Sequence, residues 1–518
     1  MTDPRPPARV RVRLVVVGVA AVLAVVGTTT AVLAGGVGGA AGRSAASAAG
    51  STSPTTGTTQ PTDTTGTTGT TGTTGTTGDT VAPAGPTQPT DPYPTTTSAP
   101  TRSTTTTTPT GSTAPTTAPT TTTGTSTPPT ETPTYPVTLP ALPGALLAFY
   151  QAPDPLSPAP PGSIIRSEQI PVVAGLPART TAFRVLYHST SDSGADIAVS
   201  GIVVIPGRAP PPGGYRIVTW AHGTTGLADA CAPSMDGIDP IPYLPQLLAD
   251  GYVVAATDYE GLGTAGVHPY LVGQSEGQSV LDAARAARDL LGPFASDEVV
   301  VFGHSQGGQA ALFAGQIADT YAPELFIAGV VSVAPVSDVN EFVPAQVGRS
   351  ADPLAVYTVA SLYAWSKVYG DVRLPDVLTP RGVALTATID ETCINALADE
   401  FASLPTDRIF RSGWETDPAV LAHEAQNQPG NAPTTAPVLM VQGVSDVLVP
   451  YRLTTQLVDQ HLCRGEHDTV QYDAYRDEGH SNVIQAAQGD VLRWIGARLD
   501  GRRPAPDSCG GPDRTIAG

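Results

Sequence analysis

From residue 215 onward the chain alternates two patterns of apolar and polar positions. Short runs rich in β-branched residues read "RIVTWA" (216–221), "YVVAATD" (252–258), "EVVVFG" (298–303), "IAGVVSVAP" (327–335) and "APVLMVQG" (436–443). Between and after them, residues 275–291, 306–320, 451–463 and 482–498 carry apolar positions at helical spacing. Runs that are apolar throughout suit strands covered on both faces, and their alternation with helices predicts a largely parallel sheet with crossover helices. The fold class is α/β, and residues 136–518 are long enough for one large domain with an insertion.

The first 135 residues are of another kind. Arg5, Arg9, Arg11 and Arg13 precede an apolar run over 14–27 and a small-residue stretch ending at Ala34. Residues 1–34 are expected to be an export signal; read through to Ala34, the apolar run approaches the ~20 residues of a membrane anchor, so cleaved leader and anchor both stay open. Residues 35–135 form a Thr/Pro/Gly-rich segment, with a Thr-Thr-Gly repeat placing glycines at 66, 69, 72, 75 and 78. Such a segment has almost nothing to bury and is expected to be a disordered stalk, its reach roughly 50 Å as a flexible coil.

The formal net charge of −19 disfavours nucleic acid or anionic lipid as electrostatic partners. Cys231, Cys393, Cys463 and Cys509 are even in number and lie in the exported region, which favours disulfides over metal ligands. No C-x-x-C or H-E-x-x-H pattern occurs, and no metal or cofactor is implied.

Candidate chemistry centres on "VVVFGHSQGGQAALFAG", residues 299–315. A strand-like run enters Gly-His-Ser-Gln-Gly-Gly and leaves as a helix of small residues, the context in which a serine stands exposed on a forced turn. With 54 glycines in the chain, a G-x-S-x-G match arises by composition on the order of once, so context must decide. A second match surrounds Ser275, but Gln278 three residues on and the helical pattern behind it read as the N-cap of a capping box. Ser305 is therefore the candidate nucleophile. A serine needs a base, and the base an acid to hold its tautomer. Asp446 falls in the loop after "VLMVQG", with Asp338 as the rival acid after the preceding strand. Of the histidines beyond Asp446, His461 and His467 read as surface residues, whereas His480 lies in the loop "RDEGHSN" before the last helix and is the candidate base. His304, beside the serine, reads as a packing residue. The oxyanion donors are expected to be the N–H of Gln306 and, from the loop "AHGTTGLADACAPS" opened by His222 and Gly223, the N–H of Thr224, with Thr225 next.

"AHGTTGLADACAPS", "ATDYEGLG" followed by "GQSVLDAARAARDL", "VFGHSQGGQAALFAGQIADTYAPEL", and "SDVLVPYRLTTQLVDQHLC" with the later "EGH" together resemble the secretory lipases of the Candida antarctica lipase A type. The similarity runs from about residue 149 to 509. It implies an α/β-hydrolase fold, a triad of Ser305, Asp446 and His480, no cofactor, and a helical cap inserted after the sixth strand at about 338–430. It also implies pairing of Cys231 with Cys393 and Cys463 with Cys509. The chain departs from the fungal type in having Gln306 after the nucleophile, where that type has a smaller residue, and Gly-Thr-Thr where it has an acidic side chain. Within the cap, Tyr357, Tyr363, Trp365 and Tyr369 read at least as well as packing residues as they do as the lining of an acyl tunnel.

The expected function is a secreted or surface-tethered serine hydrolase of lipid carboxylic esters. A polysaccharide-directed esterase, an acyltransferase, and a non-catalytic surface module on the same fold are the alternatives. Acyl-chain length, the natural alcohol, interfacial activation and oligomeric state are not readable from the residues.

Overall fold

The computed structural model describes residues 148–345, 352, 354–501, 505–509 and 515–517. The leader and stalk expected at 1–34 and 35–135 lie outside the described residues. Among those described, no helix is long and apolar enough to cross a membrane.

The described chain forms one ten-stranded sheet. Its strands are β1 (Ile164–Ile170), β2 (Thr181–Thr190), β3 (Asp196–Ile205), β4 (Tyr215–Ala221), β5 (Val253–Thr257), β6 (Ala295–His304), β7 (Phe326–Val333), β8 (Val438–Gly443), β9 (Val470–Tyr475) and β10 (Thr515–Ala517). The order across the sheet is β1-β2-β3-β5-β4-β6-β7-β8-β9-β10. β4 to β10 run parallel, and β1 to β3 add an antiparallel edge. This is the mostly parallel α/β-hydrolase architecture. The runs read as doubly covered strands are so: Val299 and Val301 of β6 enter the core on one face, Val300 and Phe302 that on the other. On the first face lie helices α1 (Gly273–Leu291) and α2 (Gln306–Tyr321). On the second lies the helix Gln488–Leu499.

Between β7 and β8 the chain forms helices including α3 (Ala355–Val368), α4 (Ile394–Phe401) and α5 (Pro418–Gln426). These share a separate apolar core in which Trp365, Leu362 and Phe401 pack with Leu227, Tyr270, Leu271 and Val449, from the loops after β4, β5 and β8. The insertion thus covers the carboxyl ends of the parallel strands. It follows the seventh strand in chain order, because β1 is an additional edge strand ahead of the expected series. Tyr363 and Trp365 are buried in that core and Tyr357 and Tyr369 pack at its edge, in keeping with a packing role. Cys231 is bonded to Cys393 and Cys463 to Cys509, with Cα separations of 5.5 and 5.3 Å.

Candidate active site

The turn from β6 into α2 is forced by close backbone approach. A Cβ on Gly303 would stand 1.9 Å from the Gly307 carbonyl oxygen, and one on Gly307 would stand 2.0 Å from that of Ala221. Only glycine fits at either place. Between them Ser305 sits at φ 61° and ψ −122°, a conformation that costs a non-glycine residue of order 1–3 kcal/mol and persists only when its surroundings impose it. Here they do, since the Ser305 N–H donates to the Val333 carbonyl (2.9 Å) and its own carbonyl accepts from Val336 (3.3 Å).

Three loops at the carboxyl end of the sheet meet at this turn. His480 Nε2 lies 2.9 Å from Ser305 Oγ, and His480 Nδ1 lies 2.8 Å from Asp446 Oδ2. Asp446 is fully buried at its side chain. Its Oδ1 accepts from the N–H groups of Leu448 (2.9 Å) and Val449 (2.8 Å), and its Oδ2 also from Gln442 Nε2 (3.0 Å). An acceptor-only carboxylate at Nδ1 leaves the lone pair of His480 on Nε2, facing the hydroxyl. The arrangement can take a proton from Ser305 and return it to a leaving group.

The structure brings together Ser305, Asp446 and His480, and sets the other candidates apart. Asp338 caps the helix Val339–Ala345, accepting from Glu341 N–H at 3.1 Å. Ser275 is not an N-cap: α1 begins at Gly273 after Val272, and Ser275 is buried within its first turn, donating to Glu260 Oε2 at 2.5 Å. The capping-box spacing fails because the helix starts three residues earlier than an N-cap at Ser275 requires. His467 is exposed and His461 half-buried. His304 does more than pack. Its Nε2 lies 2.9 Å from the His480 carbonyl, which can only accept, so His304 donates and holds the loop of the candidate base. Burial, with the nearby His480 ring, pushes His304 down to about 3 and keeps it neutral. Adjacency to the serine was the one signal in the sequence, and it does not distinguish a support from a bystander.

The loop after β4 passes directly over the elbow, with an added Cβ at Gly223 standing 3.3 Å from Ser305 Cβ. Gln306 is the first residue of α2, so its N–H has no partner within the helix. Thr224 Oγ1 is hydrogen-bonded to Tyr270 OH at 2.9 Å, and His222 Nδ1 lies 2.7 Å from the Gly223 carbonyl. The far side of the loop is tied to α4: Ile394 N–H donates to the Thr225 carbonyl at 2.8 Å, Gly226 bridges Cys393, and Cys231 is bonded to Cys393. A groove of about 880 Å³ lined by Tyr150, Asp196, Asp229 and Met235 includes neither Ser305 nor His480, so volume alone does not mark the site. No group of three or more His, Cys, Asp or Glu among the described residues could hold a metal ion.

Comparison with known proteins agrees with the fold. The chain is 26% identical over 387 residues to a secreted triacylglycerol lipase of Malassezia globosa, covering 69% of this chain and 79% of that protein. It is 25% identical over 377 residues to a probable inactive lipase of Mycobacterium tuberculosis, covering 68% and 82%. Among solved structures, Candida antarctica lipase A in its closed state superposes with a TM-score of 0.61 at 21% identity, over 71% of this chain and 89% of that one. The rice cell wall degrading esterase of Xanthomonas oryzae gives 0.56 at 20% identity, over 67% and 100%. The model of the secretory lipase family matches residues 238–507, more than half of the chain. With the elbow and sheet of an α/β-hydrolase in place, the chain belongs to the secretory lipase family.

Proposed function

We propose that the protein is an exported hydrolase of lipid carboxylic esters working through a Ser-His-Asp acyl-enzyme cycle. The observation that carries this reading is the hydrogen-bonded line Ser305–His480–Asp446 at 2.9 and 2.8 Å on a strained elbow. His480 takes the proton of Ser305 as the oxygen attacks the ester carbonyl, then delivers it to the departing alcohol. Asp446 holds the imidazole in register and stabilises its charged form. The N–H groups of Gln306 and Thr224 receive the developing oxyanion, where one donor is worth about 3 kcal/mol. Water then enters, activated by His480, and releases the acid.

Export is supported by the basic-apolar leader at 1–34 and by the secreted naming of the Malassezia relative. The mycobacterial relative named as probably inactive raises the alternative of a binding module; a complete Ser-His-Asp line favours catalysis, since a binding role has no use for all three. Acid release from triacylglycerol emulsions and from nitrophenyl esters of rising chain length tests the reading. Wild-type protein is expected to turn over at least one series, and His480→Ala to lose at least about 10³-fold in kcat. Equal rates for the two proteins would reject it.

A further inference from the structure

Behind the elbow, Gln306 turns its side chain away from solvent into a fully buried polar cluster. Gln306 Nε2 lies 2.8 Å from Glu276 Oε1 and 2.8 Å from His268 Nε2, and the three residues are 1%, 0% and 0% exposed. The proton positions follow from the partners. His268 Nδ1 lies 2.9 Å from the Glu260 carbonyl, so Nδ1 carries the hydrogen and Nε2 the lone pair. The Gln306 amide therefore gives one hydrogen to His268 and the other to Glu276. Glu276 Oε1 also accepts from the Leu271 N–H at 2.9 Å, while its Oε2 is buried without a partner.

We propose that Glu276 and His268 are positioning residues, clamping the Gln306 side chain from two sides and so fixing the backbone N–H at which the oxyanion would form. The proposal rests on the catalytic reading of Ser305 and deepens it.

The clamp has a protonation requirement. A charge on Glu276 would leave Oε2 unsolvated, and burial pushes this carboxyl up to about 8, so near neutral pH it is an uncharged acid. Ionisation at higher pH places a negative charge one side chain away from where negative charge must develop. The groups facing Glu276 stay uncharged through that range: His268, 4.0 Å away, is pushed down to about 3, and the phenols of Tyr259, Tyr270 and Tyr369 are all raised. Glu260, whose carboxyl accepts from the hydroxyl of Ser275, the residue before Glu276 in the chain, is raised to about 7 and its titration would persist when Glu276 is replaced.

The test measures kcat and KM for a short nitrophenyl ester between pH 6 and 9.5, corrected for spontaneous hydrolysis, with each sample returned to pH 7 to confirm reversibility. Wild type is expected to lose kcat at least fivefold from pH 7 to 9.5. Glu276→Gln keeps the acceptor oxygen but cannot ionise, and is expected to restore pH 7 turnover to within about threefold of wild type while abolishing the alkaline loss. Glu276→Leu is expected to lose kcat at least tenfold at pH 7 with KM changed less than threefold, in protein shown to be folded by near-ultraviolet circular dichroism. An unchanged alkaline limb in Glu276→Gln, or full kcat in folded Glu276→Leu, overturns the clamp. Ser305→Ala, run alongside, separates the failures: residual activity there overturns the catalytic reading itself, whereas a dead Ser305→Ala with indifferent Glu276 variants overturns the clamp alone.

Discussion

The two G-x-S-x-G serines show what a side chain's surroundings decide. Ser305 is held at positive φ with its hydroxyl on His480, while Ser275 is spent on Glu260 inside α1. Ser275→Ala is expected to lose about 1–3 kcal/mol of stability, the usual cost of a buried hydrogen bond to a carboxyl group, and to keep its turnover; loss of turnover in folded protein would put chemistry at the wrong serine. His304 is expected to act through His480. His304→Phe removes the bond to the His480 carbonyl, and about 1 kcal/mol translates to roughly fivefold in kcat with KM little changed. Steady-state kinetics on a soluble ester check this, and an unchanged kcat would return His304 to mere packing.

At the scale of elements, the five apolar runs beyond residue 215 were legible because a doubly covered strand needs no polar alternation, and that pattern is hard to mistake. The antiparallel edge β1–β3 was not singled out. Its β2 and β3 are also largely buried, but they carry Arg184, His188, Ser189 and Ser200 among their apolar residues, each satisfied by a partner that only the folded chain supplies. Likewise the hydrogen-bonded line of Ser305, His480 and Asp446 could be read from chain order, whereas the contacts to the Gln306 side chain could not: Glu276 and His268 are 30 and 38 residues away from it, with nothing local to mark them. The Cys231–Cys393 bond joins the loop over the elbow to α4, and Cys463–Cys509 holds the tail near β9. By chain entropy the two close loops worth about 5 and 4 kcal/mol, as upper guides. Replacing Cys231 and Cys393 by serine is expected to lower both kcat and melting temperature; replacing Cys463 and Cys509 is expected to lower melting temperature with kcat preserved. Equal effects of the two replacements on kcat would break the link drawn between the first bond and the site.

At the scale of the whole molecule, several buried acids titrate late. Glu276 and Glu424 are raised to about 8, Glu260 to about 7 and Asp468 to about 6, each chiefly by burial. A raised carboxyl binds its proton more tightly folded than unfolded, so its contribution is present below the ordinary carboxylate range and lost as pH rises through the folded value. The −19 net charge adds self-repulsion in the same direction. The melting temperature is expected to fall between pH 5.5 and 8.5; a rise across that window would contradict the placement of these groups. The boundary near residue 136 was drawn from composition alone, and a chain beginning there is expected to fold and keep its turnover, because residues 1–135 offer little to bury.

The proposed activation of Ser305 as a nucleophile can be read by covalent labelling without knowing the natural substrate. A fluorophosphonate probe followed by peptide mapping is expected to place one adduct per molecule on the peptide containing Ser305, and none on folded Ser305→Ala. An adduct at Ser275 or elsewhere, or an unlabelled but folded wild-type protein, would show that Ser305 is not an activated nucleophile.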